Sequence, residues 1–122
     1  MTSDGDPVHN YTTLIESWKA NPKETFGGRV KRLRICHMNN ITQEGLAKIL
    51  WLNSRASVNR LENADSVQKV GEDILVRVLL FLNDSRWKRT EGTCKELVNS
   101  LQKEIVEELE TRHIRHANKH GQ

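Results

Sequence analysis

From Phe26 onward, apolar residues recur at helical spacing, and short polar clusters cut the pattern into segments. Phe26, Val30, Leu33 and His37 share one face, which predicts a helix from about Phe26 to His37. Asn39-Asn40 interrupts it, and Thr42 can cap a second helix with Leu46, Ala47, Ile49 and Leu50 on its inner side. Asn53 or Ser54 caps a third helix, with Val58 and Leu61 facing inward. Asn63 ends that helix in the left-handed conformation that Asn tolerates. A fourth helix, about Glu72 to Leu82, has a stripe of Ile74, Leu75, Val78, Leu79 and Leu82, which Phe81 widens beyond one face.

Two further segments flank this core pattern. The RWKR run at Arg86–Arg89 reads as a loop. Thr93 with Glu96 then forms a capping box that opens a long helix. Its apolar positions, Cys94, Leu97, Val98, Leu101, Ile105 and Leu109, make a narrow seam solvated on either side by Lys103, Glu104, Glu107, Glu108 and Glu110. Such a seam suits pairing with a second copy in preference to packing back on its own domain. The basic tail from His113 frays. Upstream, residues 1–10 read as a polar, unstructured arm. Thr13 with Glu16 predicts a short helix through Trp18 that Pro22 ends, and Gly27-Gly28 loosens the entry to the next helix.

Charge changes the picture. Residues 26–63 hold seven Lys/Arg against two Asp/Glu, whereas residues 64–122 balance and residues 1–25 are acidic. The whole net charge of +3 therefore arises from one helical block, the footprint of a phosphate-binding surface. A chain of 122 residues with 5% aromatics suits one domain, or a small domain plus an appended element, better than a large enzyme core with a deep pocket. Cys36 and Cys94 form no CxxC pair and fit two free thiols in a reducing, cytoplasmic setting. No apolar signal region opens the chain, and the longest apolar run, Val78–Leu82, is too short for a bilayer.

Within the basic block, the second and third helices meet the requirements of a helix-turn-helix. Ala47 lets the two helices approach closely. Leu46, Leu50, Leu52, Val58 and Leu61 supply the buried aliphatics. Ser54, Arg55, Ala56, Ser57 and Asn59 put short or hydrogen-bonding side chains where a helix would enter a DNA groove. RVKRLR, ITQEGLAKIL and SVNRLEN, in that order, resemble the phage repressor/Cro-type (Xre-like) helix-turn-helix family over about residues 26–83.

The resemblance implies an all-α, lambda-repressor-like five-helix bundle, with its fourth and fifth helices within Asp65–Asn83. It implies a phosphate contact from Gln43 and base contacts from Arg55, Ala56 and Ser57, with Ser54, Asn59 and Arg60 beside them. A backbone contact follows from Asn63, and an internal ion pair from Arg34 and Glu62. Arg55 is the prime candidate for base readout, because Arg bonds guanine O6 and N7 together. The chain departs from the pattern where Trp51 replaces the turn glycine, Ala64 replaces the glycine after Asn63, and the segments around the turn run slightly long. These departures leave the register of Ser54–Ser57 open by one position.

Other candidate chemistry is thin. His113, His116 and His120 fall on one side of a helix without a joining Cys or carboxylate, so no metal site is expected. His9 and His37 have no nucleophile partner, and no phosphate-binding glycine loop or hydrolase motif occurs. The sequence thus predicts a non-enzymatic, cofactor-free regulator: residues 1–25 an arm with a short helix, 26–84 the DNA-binding domain, 85–122 a dimerising helix and basic tail. Double-stranded DNA and a second copy are the expected partners, with repression by operator occupancy. An antitoxin-type protein that binds a partner protein through its C-terminal helix is the alternative, and an adaptor without DNA binding is a third reading.

Overall fold

Thr25 opens the first described helix, its Oγ1 accepting from the Gly28 N–H at 2.9 Å. A computed structural model describes residues 24–120; the short helix expected before Pro22 lies outside that range. Among the described residues there are five α-helices, two 3-10 turns and no strand. We label the helices α1 (Phe26–His37), α2 (Gln43–Ile49), α3 (Arg55–Glu62), α4 (Glu72–Leu82) and α5 (Gly92–His120); the 3-10 turns are Val67–Lys69 and Ser85–Trp87. The all-helical bundle expected from the sequence is therefore present. α1 packs on α3 and α5, α2 on α3, and α4 on α5, around one shared core.

The core follows the apolar spacing. Phe26, Val58, Leu75, Leu101 and Ile105 are essentially inaccessible, and each such side chain contributes about 1.5–3 kcal/mol relative to exposure. α1 stops where Asn39 and Asn40 take φ of 56° and 54°, a region that Asn enters more readily than other non-glycine residues. Thr42 caps α2 as expected, accepting from the Gly45 N–H at 3.0 Å.

The turn after α2 explains the irregular length around Trp51. Leu52 N–H donates to Ala47 O at 2.8 Å and Trp51 N–H to Lys48 O at 3.2 Å, the paired bonds of a Schellman C-cap. Trp51 occupies the left-handed position of that motif with φ +59°, where glycine is favoured. Its indole is not the packing residue that Trp usually is: it is 82% exposed. Arg77 from α4 secures the turn, its Nη1 donating to Trp51 O at 2.8 Å and Leu50 O at 3.3 Å.

Five expectations need correction. Asn63 does end α3, but with φ −98° it is not left-handed; its Nδ2 instead donates to Asn59 O at 2.8 Å. Within Asp65–Asn83 only one α-helix forms. The segment before Gly71, the residue that precedes α4, holds just the 3-10 turn Val67–Lys69, buried through Val67 and Val70. Carbonyls that an α-helix would have satisfied internally are bonded by Arg112, whose Nη2 reaches Val67 O, Gln68 O and Val70 O at 3.3, 3.3 and 2.7 Å.

α5 opens at Gly92, with φ +61°, and neither Thr93 nor Glu96 makes a side-chain cap bond among the described residues. Most consequential is the seam of α5. Leu97, Val98, Leu101 and Ile105 are buried in the chain's own core, with Cys94 and Leu109 packed at its edge. Arg29 of α1 reinforces that docking through bonds to Ser100 Oγ (2.7 Å) and to Glu104. The face expected to meet a second copy is covered by α1 and α4.

The RWKR run is only partly a loop. Ser85–Trp87 winds into a 3-10 turn that places Trp87 in the core, edge-on to Phe81 at 5.5 Å, with its Nε1 donating to Phe81 O at 3.1 Å.

Candidate nucleic-acid interface

α3 owes its position to contacts behind it. The Arg34 guanidinium grips Glu62 with two bonds, Nε to Oε2 at 2.6 Å and Nη2 to Oε1 at 3.0 Å, while Nη1 donates to Ile41 O at 2.7 Å. Both side chains are buried, so the pair named from the sequence is present and joins α1, the loop before α2, and the end of α3. Gly27 allows this closeness. A Cβ there would fall 2.4 Å from Glu62 O, and its N–H donates to Ala64 O at 2.9 Å. Gly27 is thus a point of helix contact, not a loose entry. Its partner lies far along the chain, so no local pattern could have marked it.

The polar residues of α3 face outward. Ser54, Arg55, Ala56, Asn59, Arg60 and Asn63 are exposed and Ser57 is half-buried, whereas Val58, Leu61 and Glu62 point into the bundle. All the named residues of α3 and its cap are thus exposed except Ser57, which is half-buried. Ser54 precedes the helix but makes no side-chain cap bond. Arg60 Nη2 lies 3.5 Å from Ser57 Oγ, and Arg55 has no side-chain partner among the described residues.

Gln43, at the start of α2, turns its side-chain amide toward α3. Its Nε2 points inward, donating to Glu62 Oε1 at 3.0 Å and to Asn59 Oδ1 at 3.4 Å. Asn63 Nδ2 adds a second donor to Asn59 Oδ1 at 3.3 Å. One hydrogen-bonded chain thus runs from the buried Arg34–Glu62 pair through Gln43 to Asn59 on the surface of α3.

Only part of the basic block is free to meet phosphate. Arg29 pairs with Glu104, Arg32 with Glu24 at 2.9 Å, and Arg34 with Glu62. Lys31, Lys48, Arg55 and Arg60 are exposed without a carboxylate partner among the described residues. Close ionic neighbours were not visible in the sequence for Arg29, whose partner is 75 residues away.

A second surface was not anticipated in this form. Trp51, Val76 and Leu80 are the exposed apolar side chains of one groove, which Asp73, Arg77, Asp84 and Arg86 also line. Phe81, by contrast, is buried beneath it, with the Arg86 guanidinium 5.0 Å over its ring. Cys36 and Cys94 are not disulfide-bonded, and burial raises the Cys94 thiol above its ordinary range, with a Thr90 hydrogen bond opposing in part. Among the described residues no acidic, His or Cys cluster could hold a metal, and no helix is long and apolar enough to cross a membrane.

The all-helical architecture and the polar face of α3 define the class of this protein only as a helical bundle with a basic, outward-facing helix. No family model, curated protein or solved structure gives a significant match to the chain.

Proposed function

We propose that this chain is a lambda-repressor-like helix-turn-helix protein that binds specific double-stranded DNA and represses transcription as a homodimer occupying its operator. The observation that carries this reading is the outward face of α3. It combines Arg55, Asn59 and Arg60 with the small Ser54 and Ala56, and its one carboxylate, Glu62, is turned inward. Small residues at the start of the helix let its backbone approach a groove, and Arg55 can bond guanine O6 and N7 together. Lys31 and Lys48 add positive charge outside α3 for phosphate.

Two recognition helices in one dimer would enter successive major grooves about 34 Å apart. With the α5 seam covered, the second copy docks on the Trp51–Val76–Leu80 groove. Its rim carries two acids and two arginines, Asp73, Asp84, Arg77 and Arg86. A surface of mixed sign can meet its own copy across a two-fold axis, whereas a uniformly charged one repels itself. The antitoxin-type alternative finds no separate support, because the seam it relied on packs against α1 and α4.

The test is selection of bound sites from a random duplex pool, followed by titration of the selected site across salt concentrations. Affinity should fall linearly on a log–log plot as phosphate contacts are screened. Arg55→Ala should abolish discrimination between the selected site and random duplex while leaving nonspecific binding largely intact. Absence of any binding to duplex at low salt would refute the DNA reading.

A further inference from the structure

The hydrogen-bonded chain behind α3 has a direction. Glu62 is a carboxylate gripped by Arg34, so its Oε1 can only accept. The Gln43 group facing it at 3.0 Å must therefore be the amide nitrogen. That nitrogen has two N–H donors, and the second faces the Asn59 side chain at 3.4 Å, which must present its oxygen. A second constraint agrees from the other side. The Asn59 backbone carbonyl, acceptor-only, lies 2.8 Å from Asn63 Nδ2, and that same nitrogen lies 3.3 Å from Asn59 Oδ1. Either neighbour would meet a donor with a donor if the Asn59 amide were turned over.

We infer that Asn59 is a donor-only reader of the DNA major groove, its amide polarity set by Gln43 and Asn63. With Oδ1 held inward, exposed Asn59 offers only its Nδ2 hydrogens outward. It cannot make the two-bond contact with adenine, which requires the amide oxygen to accept from N6 while the nitrogen donates to N7. Guanine, with O6 and N7 both accepting, and thymine, with O4 accepting, match a donor-only amide. Gln43 is left with Oε1 as its outward atom. An acceptor faces phosphate unfavourably, so Gln43 is a positioning residue for Asn59 and not a phosphate donor. The inference rests on α3 being a recognition helix.

The experiment uses the full chain and site selection from a random duplex pool, comparing the unaltered protein with Asn59→Asp and Gln43→Leu. Asn59→Asp keeps the inward oxygen and replaces the outward donor with an acceptor. It should change one position per half-site from guanine or thymine to cytosine, whose N4 donates, and leave other positions as they were. Gln43→Leu releases one restraint on the amide, so discrimination against adenine at that same position should shrink by about tenfold, the scale of one base contact. Thermal melts accompany both variants, and a lower melting temperature without a change in base preference counts against the proposal. Adenine at the Asn59 position of the unaltered protein, or no position altered by Asn59→Asp, overturns the donor-only reading while the DNA reading stands. Failure of the unaltered protein to enrich any site overturns both.

Discussion

α3 and α5 were both read as helices with a face for a partner, and they use those faces in opposite ways. α3 keeps Arg55, Asn59 and Arg60 outside and buries only Val58, Leu61 and Glu62. α5 turns Leu97, Val98, Leu101 and Ile105 into its own bundle. The difference is physical. An apolar seam gains from any apolar surface that covers it, and α1 and α4 are tethered to it at high effective concentration. Polar and cationic side chains gain little from burial and resist it unless paired, so an unpaired Arg55 stays at the surface. An apolar seam is thus consumed by the chain's own core, whereas a cationic side chain such as Arg55 stays exposed.

The strongest way to break this contrast is to remove the support behind α3. Arg34→Ala leaves the buried Glu62 carboxylate without its cation. Loss of one partner from a buried pair should destabilise the fold by about 3–5 kcal/mol, read by urea denaturation. A change below about 1 kcal/mol, the range of surface pairs, would mean that Glu62 is not held as described.

The α5 side is tested next. Leu101 is fully buried, and Leu101→Ala should cost about 3 kcal/mol through lost burial and the cavity it leaves. Because the seam packs within the chain, the cost should be the same at low and high protein concentration. A cost that grows with concentration would return the seam to a dimer interface.

For the groove, Leu80 is 66% exposed, so Leu80→Glu should leave monomer stability nearly unchanged. It should weaken self-association by about 2 kcal/mol, the scale of an interface hot spot, measured by sedimentation equilibrium. Unchanged association would place the second copy elsewhere.

Helix positions were legible because caps and apolar spacing are local signals, whereas the Arg34–Glu62 pair followed only from the resemblance of the motifs around it. Thr25 through His37 and Glu72 through Leu82 behave as their spacing dictates. What was not legible depends on distant chain. Arg29 and Arg32 count toward the basic block of the sequence, but in the fold Glu104 and Glu24 pair with them. The 3-10 turn at Val67–Lys69 stands on carbonyl bonds from Arg112, which lies 42 to 45 residues further along the chain. For Trp51 the local signal existed, since the related pattern has glycine where φ is +59°, but residue type argued for burial. Trp51→Gly should stabilise the monomer by about 0.5–1 kcal/mol, as relief of left-handed strain exceeds the added freedom of the unfolded chain. A loss of stability would show that the indole packs usefully despite its exposure.

The smallest expected effect lies at His37, the last residue of α1. Burial, with Arg32 adding repulsion, holds its imidazolium below the ordinary value of 6.5. Protonation is therefore easier in the unfolded chain. Above pH 6.5 both states are largely neutral and His37 adds no pH dependence. As pH falls below 6.5, unfolded molecules take up the proton first, and stability is lost until pH passes the lower folded value, beyond which that loss is complete. His37→Gln removes this proton uptake, so its stability should decline less than that of the unaltered protein between about pH 7.5 and about pH 5. Parallel decline of the two proteins over that interval would show that the imidazole is solvated in the folded state. It would also show that the end of α1 is more open to water than its packing against the bundle indicates.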